Sequence, residues 1–405
     1  MTLRPVADVR APTGAGLRRV LVTLCVTETT SWGVLYYAFP VLAGQVGADT
    51  GWSLTRLSAA FSLALLVSAL VGIPVGRWLD RHGPRWLMTT GSALAVMALC
   101  GVALVPSFRW FVGAWSVAGV AMSAVLYPPA FAALTRWYGE RRVHALTVLT
   151  LAAGLASTIF APITAALAAQ LSWRATYLVL AGLLAVVTIP GHLLGLRLPW
   201  PPPPPSLASG AGVVRAPRAV VRSGAFACLV AGFALTSLTA YVVVITLVPL
   251  LAERGIGPRT AAVVLGVGGI GQVLGRLGYA PLTRHLSVRP RTAVVLGVVA
   301  LTTALLGVLT WLPALIAVAV LAGMVRGITT LLQATAVTDR WGPRHYGVLS
   351  SVVAAPSTIT IAVAPVVGAG LAALVGGYAS MLVCMAVVGL GAAVLSLGSA
   401  PEGER

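Results

Sequence analysis

The stretch RLPWPPPPPSLASGAGVVRAPRAVVR, residues 197–222, decides the architecture of this chain. Five consecutive prolines, Pro201 to Pro205, hold an extended backbone that pairs none of its own polar groups, so this segment cannot lie in lipid. On its N-terminal side, apolar segments are expected near 18–44, 53–79, 86–105, 109–135, 143–169 and 174–197. On its C-terminal side, six more are expected near 223–251, 260–283, 292–312, 314–337, 346–374 and 377–399. Each reaches the roughly 20 residues that a helix needs to cross a bilayer. The reading is an all-α integral membrane protein with twelve transmembrane helices in two pseudo-symmetric six-helix bundles. Its expected parts are a tail at 1–17, a bundle at 18–197, a linker at 198–222, a bundle at 223–399 and a tail at 400–405.

Composition points the same way. Of the 405 residues 58% are apolar and only 9% charged, against about 25% charged in an ordinary soluble domain, too few to build a water-facing surface. The net charge is +18, and every permanent positive side chain is arginine. In a soluble protein that excess would suggest a nucleic-acid partner, but in short loops it is how helical membrane proteins set their orientation, so none is expected. With the amino terminus inside, twenty of the twenty-seven arginines fall in cytoplasmic segments and only Arg56, Arg109, Arg174, Arg254 and Arg259 in outer loops. Both termini are therefore expected in the cytoplasm, in a plasma membrane of the bacterial inner-membrane kind, with lipid as the surrounding partner and a monomer as the unit. The first apolar stretch is too long for a signal-peptide core and holds Glu28 in its middle, so it reads as a retained span. Cys25, Cys100, Cys228 and Cys384 lie in four different apolar stretches without metal-ligand or disulfide spacing, so no metal or cofactor is expected.

The halves repeat. Arg136-Trp137-Tyr138-Gly139-Glu140-Arg141, followed by Ala161-Pro162, returns as Arg340-Trp341-Gly342-Pro343-Arg344, followed by Ala364-Pro365. Two similar bundles can rock about a shared central site.

Ionisable groups at membrane depth cost several kcal/mol unless paired or wetted. Three need a reason: Glu28 in the first span, Arg276 in the eighth and Arg326 in the tenth. At helical spacing Glu28, Trp32, Tyr36 and Phe39 share a face, as do Gln272, Arg276 and Tyr279, and Arg326, Thr329, Thr330 and Gln333. Those faces are expected to line a substrate path, with Tyr36, Tyr127 and Tyr241 as phenol contacts. Two guanidinium groups against one carboxylate imply an anionic substrate, held bidentately where it is a carboxylate. Glu28 is the expected proton carrier if transport is proton-coupled. The competing reading makes Arg326 a snorkelling residue or a structural partner of Glu28. Trp52, Trp110, Trp173 and Trp311 fall at outer span ends and read as an interface belt, and His192 reads as a structural histidine.

The second span ends Gly76-Arg77-Trp78-Leu79-Asp80-Arg81-His82-Gly83-Pro84-Arg85, which resembles the loop signature G-x-x-x-D-R-x-G-x-R of the major facilitator superfamily. The resemblance implies a conformational gate at Gly76, Asp80, Arg81, Arg85 and Arg136. Physically, Gly76 allows close helix approach and Asp80 can sit at the positive end of a neighbouring helix. In the second half the motif is degenerate, with Ala280 and Arg284 near the matching places. Within that superfamily several pieces resemble the monocarboxylate-porter branch, which includes oxalate and formate exchangers: Tyr37-Ala38-Phe39-Pro40, Gly51-Trp52-Ser53, Tyr127-Pro128, Trp173-Arg174 and Gln272-Val273-Leu274-Gly275-Arg276. That branch usually places an acid four positions before the arginine that holds the substrate carboxylate. Here the arginine matches at Arg276 while the acid is Gln272, and Val41 stands where animal members carry lysine. A proton path through those two groups does not carry over.

The function expected is secondary active transport of a small organic anion, a monocarboxylate, by alternating access with proton symport or anion exchange. The alternative is a proton-coupled efflux antiporter for a drug-like compound or secreted metabolite. Ala161-Pro162-Ile163-Thr164-Ala165-Ala166 lacks the glycines of the G-P-x-x-G-G pattern in many such antiporters, which weakens that alternative. No Walker-type loop, G-x-S-x-G elbow or H-E-x-x-H motif supports enzyme chemistry.

Overall fold

The computed structural model describes residues 14–201 and 217–399. The expected tails, apart from residues 14–17, and most of the linker, including Pro202 to Pro205 and Arg215, lie outside the described residues. Within them all regular structure is helical, as lipid requires of a chain that must satisfy its own backbone.

The first helical unit is Gly14–Trp32, a π turn at Gly33–Tyr37, and Ala38–Thr50. It runs past the expected end at residue 44 and closes at Gly51, whose φ of 73° takes the left-handed conformation that favours glycine. Ser53 then caps Leu54–His82 by accepting the Arg56 N–H at 3.3 Å. Pro84–Ala103 follows, then Phe108–Val125 continuing as Tyr127–Tyr138, then Arg142–Gly154 continuing as Ala156–Gln170, then Trp173–Pro190. The second half comprises Gly224–Glu253, Pro258–Leu277 bent by 45° into Tyr279–His285, Val288–Val308, Leu312–Trp341, Tyr346–Val375 and Tyr378–Leu397.

Among the described residues nine helical stretches are long and apolar enough to cross a membrane, or ten with the bent pair counted as one span. This falls short of the twelve expected crossings for two local reasons. The first unit is less apolar than the others, carrying Arg18, Arg19 and Glu28 together with Thr27, Thr29 and Thr30. The fourth and fifth segments merge into one stretch, Phe108–Gln170, although the chain turns back at Gly139–Arg141 so that Tyr127–Tyr138 packs on Arg142–Gly154.

The buried apolar residues form three clusters with different memberships. At the end holding the linker, one cluster draws on both halves, joining Leu79, Trp137 and Leu146 to Tyr279, Leu331 and Tyr346. At the opposite end each half has its own, one around Trp115, Phe111 and Tyr177 and the other around Leu250, Leu306 and Met381. The halves are thus fused by packing at the linker end and separately cored at the other.

Of the expected tryptophan belt, Trp110 and Trp311 are 65% and 70% exposed, as interface residues would be. Trp173 is a correction. It is buried, and its Nε1 donates to Asp49 Oδ2 at 2.9 Å, so it ties the first unit to the sixth instead of facing lipid headgroups.

Candidate functional site between the two halves

A cavity of about 670 Å³ lies midway along the helices, between the halves. The eighth and tenth units build one wall. They approach so closely that a Cβ on Gly271, Gly275, Gly323 or Gly327 would collide with backbone of the partner helix, at Val320, Met324, Gly268 and Gln272 respectively. Small residues at these four places let the two backbones touch, as is usual where lipid supplies no hydrophobic drive for helix association. The consequence is that Gln272 and Arg326 stand side by side on the cavity wall, with Arg326 Nη2 donating to Gln272 Oε1 at 3.3 Å. Thr329, Thr330 and Gln333 continue that wall, so the stripe expected on the tenth helix is brought to the cavity as a whole.

The two arginines have different surroundings. Arg326 is half-buried, and among the described residues Gln272 is its only hydrogen-bond acceptor, so most of its five N–H donors are left for the cavity. Arg276 lies on the cavity wall but is 4% exposed and reaches across to the first half, where its Nη1 donates to the backbone carbonyl of Thr150. Thr150 is in the last turns of Arg142–Gly154, the partly negative end of that helix, where an arginine is favoured. A Cβ on Gly154 would overlap the Arg276 guanidinium, so the bare glycine is what admits the side chain. Tyr279, expected on the same stripe, is not on the cavity. It lies beyond the bend after Leu277, fully buried and bonded to Thr335.

The first half supplies aromatic rings. Trp32, Tyr37 and Tyr127 line the cavity, with the Trp32 and Tyr127 centroids 4.9 Å apart, and Tyr241 joins them from the seventh unit. Tyr36 is a correction: it is not on this wall but packs edge-on against Trp32 and Phe61, with centroids at 5.3 and 5.4 Å. The π turn at Gly33–Tyr37 is the cause. It inserts one extra residue into the turn, so the face that follows is shifted by one and Tyr37 takes the place that 3.6-residue spacing assigns to Tyr36. Gly33 begins that turn beneath Phe160, whose ring occupies the space a Cβ would need.

Glu28 departs from expectation too. It is fully buried beside the Trp32 indole and off the cavity wall. No ion pair joins it to Arg276 or Arg326 among the described residues, which removes the structural Glu28–Arg326 pair. His192 is fully buried, with Nδ1 2.9 Å from Ser92 Oγ, in keeping with a structural role.

At the linker end the gate residues separate into two groups. The Asp80 carboxylate accepts the N–H groups of Gly347 at 2.9 Å and Val348 at 3.0 Å, which are two of the free donors opening Tyr346–Val375. Gly76 makes this possible, since a Cβ there would strike the Gly347 carbonyl. Arg136 donates to the Asp80 carbonyl at 2.9 Å and stacks 4.6 Å from the Trp200 ring centroid, while Trp200 Nε1 donates to the same carbonyl at 3.3 Å. Beside them Arg142 pairs across the halves with Asp339 at 3.0 Å. Arg81 and Arg85 stand apart from these contacts. Arg81 is exposed, and Arg85 Nε donates to the Leu193 carbonyl at 2.9 Å inside its own half. Sequence reasoning missed Trp200, Thr150 and Asp339. The proximity of Trp200 to the proline run was its only signal; the other two carried none.

Comparison with known proteins bears on this arrangement. Residues 23–355 match the family description Major Facilitator Superfamily. The chain is 31% identical over 305 residues to "Monocarboxylate transporter 11" of Homo sapiens, an alignment covering 72% of this chain and 62% of that protein. It is 27% identical over 255 residues to "Monocarboxylate transporter 13" of Bos taurus, covering 61% and 55%. The chain thus spans less than two thirds of the length of these relatives. Among solved structures, the fucose:proton symporter FucP of E. coli superposes with a TM-score of 0.72 at 13% identity, covering 94% of this chain and 98% of that one. A bacterial homologue of the human lysosomal transporter Spinster superposes with a TM-score of 0.63 at 17% identity, covering 96% and 98%. With a family match over most of its length on a fold of two helical bundles about a central cavity, the chain belongs to the Major Facilitator Superfamily.

Proposed function

We propose that this protein is a secondary active transporter that carries a monocarboxylate across the plasma membrane by alternating access of twelve crossings, as a proton symporter or anion exchanger. The observation that carries the proposal is the Arg326 guanidinium, open to a cavity between the halves and held beside Gln272. An anion neutralises it there, and a carboxylate matches its planar donors two at a time. The resemblance to monocarboxylate transporters supports the same substrate class. Arg276 serves as a strut between the halves whose free donors respond to the bound anion. Tyr127 and Gln333 bound the site on either side.

The linker end is the cytoplasmic one, by the excess of arginine there, and both termini lie on that side. With the halves joined at Asp80 and Arg142, the arrangement is the one closed to the cytoplasm. Glu28, fully buried in the first unit, is the proton-holding group where transport is proton-coupled. The test is counterflow in proteoliposomes with labelled carboxylates, with and without a pH gradient. Carboxylate exchange is expected. Extrusion of a cationic dye with no carboxylate exchange would replace this reading with the efflux antiporter.

A further inference from the structure

We infer that the site takes arylalkanoates, monocarboxylates whose acid group is joined through a short chain to an aromatic ring, in preference to two- to four-carbon acids. This rests on the proposed anion transport and narrows its substrate.

The cavity is divided by chemistry. Its second-half wall carries the polar groups Arg326, Gln272, Thr329, Thr330 and Gln333, set among Tyr241 and the aliphatic Ile270 and Val273. Its first-half wall is aromatic, with Trp32, Tyr37 and Tyr127, all three half-buried and so presenting ring surface to the space between. A carboxylate anchored at Arg326 therefore points the rest of its molecule at rings. Offset and edge-on ring pairs form at centroid separations of about 4.5–7 Å, the spacing these side chains already adopt with one another, including 4.9 Å for Trp32 with Tyr127 and 6.5 Å for Trp32 with Tyr37.

Size agrees with that division. At about 670 Å³ the cavity falls within the roughly 300–1,000 Å³ of sites that enclose drug-sized ligands. Towards the Asp80 end a second chamber of about 210 Å³ shares Trp32, Tyr127, Thr330 and Gln333 with the first. Leu65, Ala69, Met122, Leu126 and Phe131 line its first-half side. A two-carbon acid would neutralise Arg326 and leave the rings and this chamber filled with water. A ring at the end of a one- to three-carbon chain covers the apolar surface and displaces that water, which is the favourable term for apolar transfer. Cationic aromatics are excluded by Arg326 itself.

The test uses the full chain in separate batches of proteoliposomes preloaded with acetate, lactate or phenylacetate, measuring how acetate, lactate, phenylacetate, 3-phenylpropionate and indole-3-acetate compete for labelled counterflow. The expected result is half-inhibition by the aryl acids at concentrations at least about tenfold below those for acetate and lactate. Trp32→Leu should shrink the ratio of acetate to aryl-acid half-inhibitory concentrations towards one, and Trp32→Phe should restore part of that ratio. The wild-type ranking decides the matter alone if a variant does not fold. Equal potency of acetate, lactate and the aryl acids overturns the inference and leaves monocarboxylate transport standing. Absence of exchange with every carboxylate overturns both.

Discussion

Replacing Asp80 with asparagine should open the cytoplasmic end. In the structure its carboxylate accepts two backbone N–H groups, at 2.9 and 3.0 Å, from the first turn of Tyr346–Val375. A hydrogen bond to an ionised acceptor contributes about 1.5–3 kcal/mol, and a negative charge at a helix N-terminus about 0.3–1, up to about 2 when partly buried. Asparagine keeps one acceptor oxygen but turns an NH2 group towards the other N–H, and it removes the charge. One charged bond and the helix-end term are lost, together about 2–5 kcal/mol. At about 1.4 kcal/mol per factor of ten this moves the closed-to-open equilibrium by roughly 30- to 4,000-fold. The Arg142–Asp339 pair remains, so the shift reports the Asp80 contribution alone. Ser350 lines the chamber between the gate and the main cavity, and Cys25, Cys100, Cys228 and Cys384 can be replaced to leave a cysteine at 350 as the sole thiol. In inverted vesicles, a membrane-impermeant maleimide should label that cysteine at least about tenfold faster in D80N than in its parent. Equal labelling rates in two well-folded proteins would refute the view that this carboxylate holds the halves together.

Four further outcomes follow from the same geometry. Arg326→Ala should weaken carboxylate binding by roughly ten- to a hundredfold, the worth of one charge-assisted bond or a bidentate pair, measured as half-saturation in counterflow. Arg276→Gln should chiefly slow exchange, since it removes the link to Thr150 across the halves. If instead R326A transports normally while R276Q abolishes binding, the roles are reversed. Glu28→Gln should retain carboxylate exchange while losing acceleration by an inward proton gradient, and intact proton coupling in E28Q would remove Glu28 from the proton path. His345, in the loop before Tyr346–Val375, is held below the usual histidine range by burial, then by Arg344 and Arg136. Because the unfolded chain binds this proton more readily, stability falls as pH drops through about 6.5 and is unaffected above it. The melting temperature should therefore decline from pH 7.5 to 5.5, and His345→Gln should flatten that decline. An unchanged slope in H345Q would show that His345 does not cause it.

How much could be read in advance differs between neighbouring residues. Asp80 was placed at the positive end of a neighbouring helix from its motif, and the structure names that helix as the one beginning at Tyr346. Arg326, Thr329, Thr330 and Gln333 followed from periodicity, because Leu312–Trp341 is one unbroken helix and spacing carries over to direction. The same argument failed at Tyr36, where one π turn displaced the face, and at Tyr279, where the helix bends after Leu277. Arg81 and Arg85 belong to the same loop motif as Asp80, yet at the linker end it is Asp80 and Arg142 that bond across the halves.

The sequence by itself determined the solvent, the helical content and the two-part layout. Apolar runs in lipid have to form helices whatever their neighbours, and a proline run cannot lie among them. Family membership was legible at Gly76 to Arg85 for a related reason, since the motif is a short local unit. Only the tertiary structure decided that Arg276 braces the halves while Arg326 faces open space, that Tyr37 and not Tyr36 lines the cavity, and that Glu28 lies off it. These depend on contacts between residues more than a hundred positions apart, as with Arg276 and Thr150, or on a single-residue change in helical phase, and spacing along the chain encodes neither.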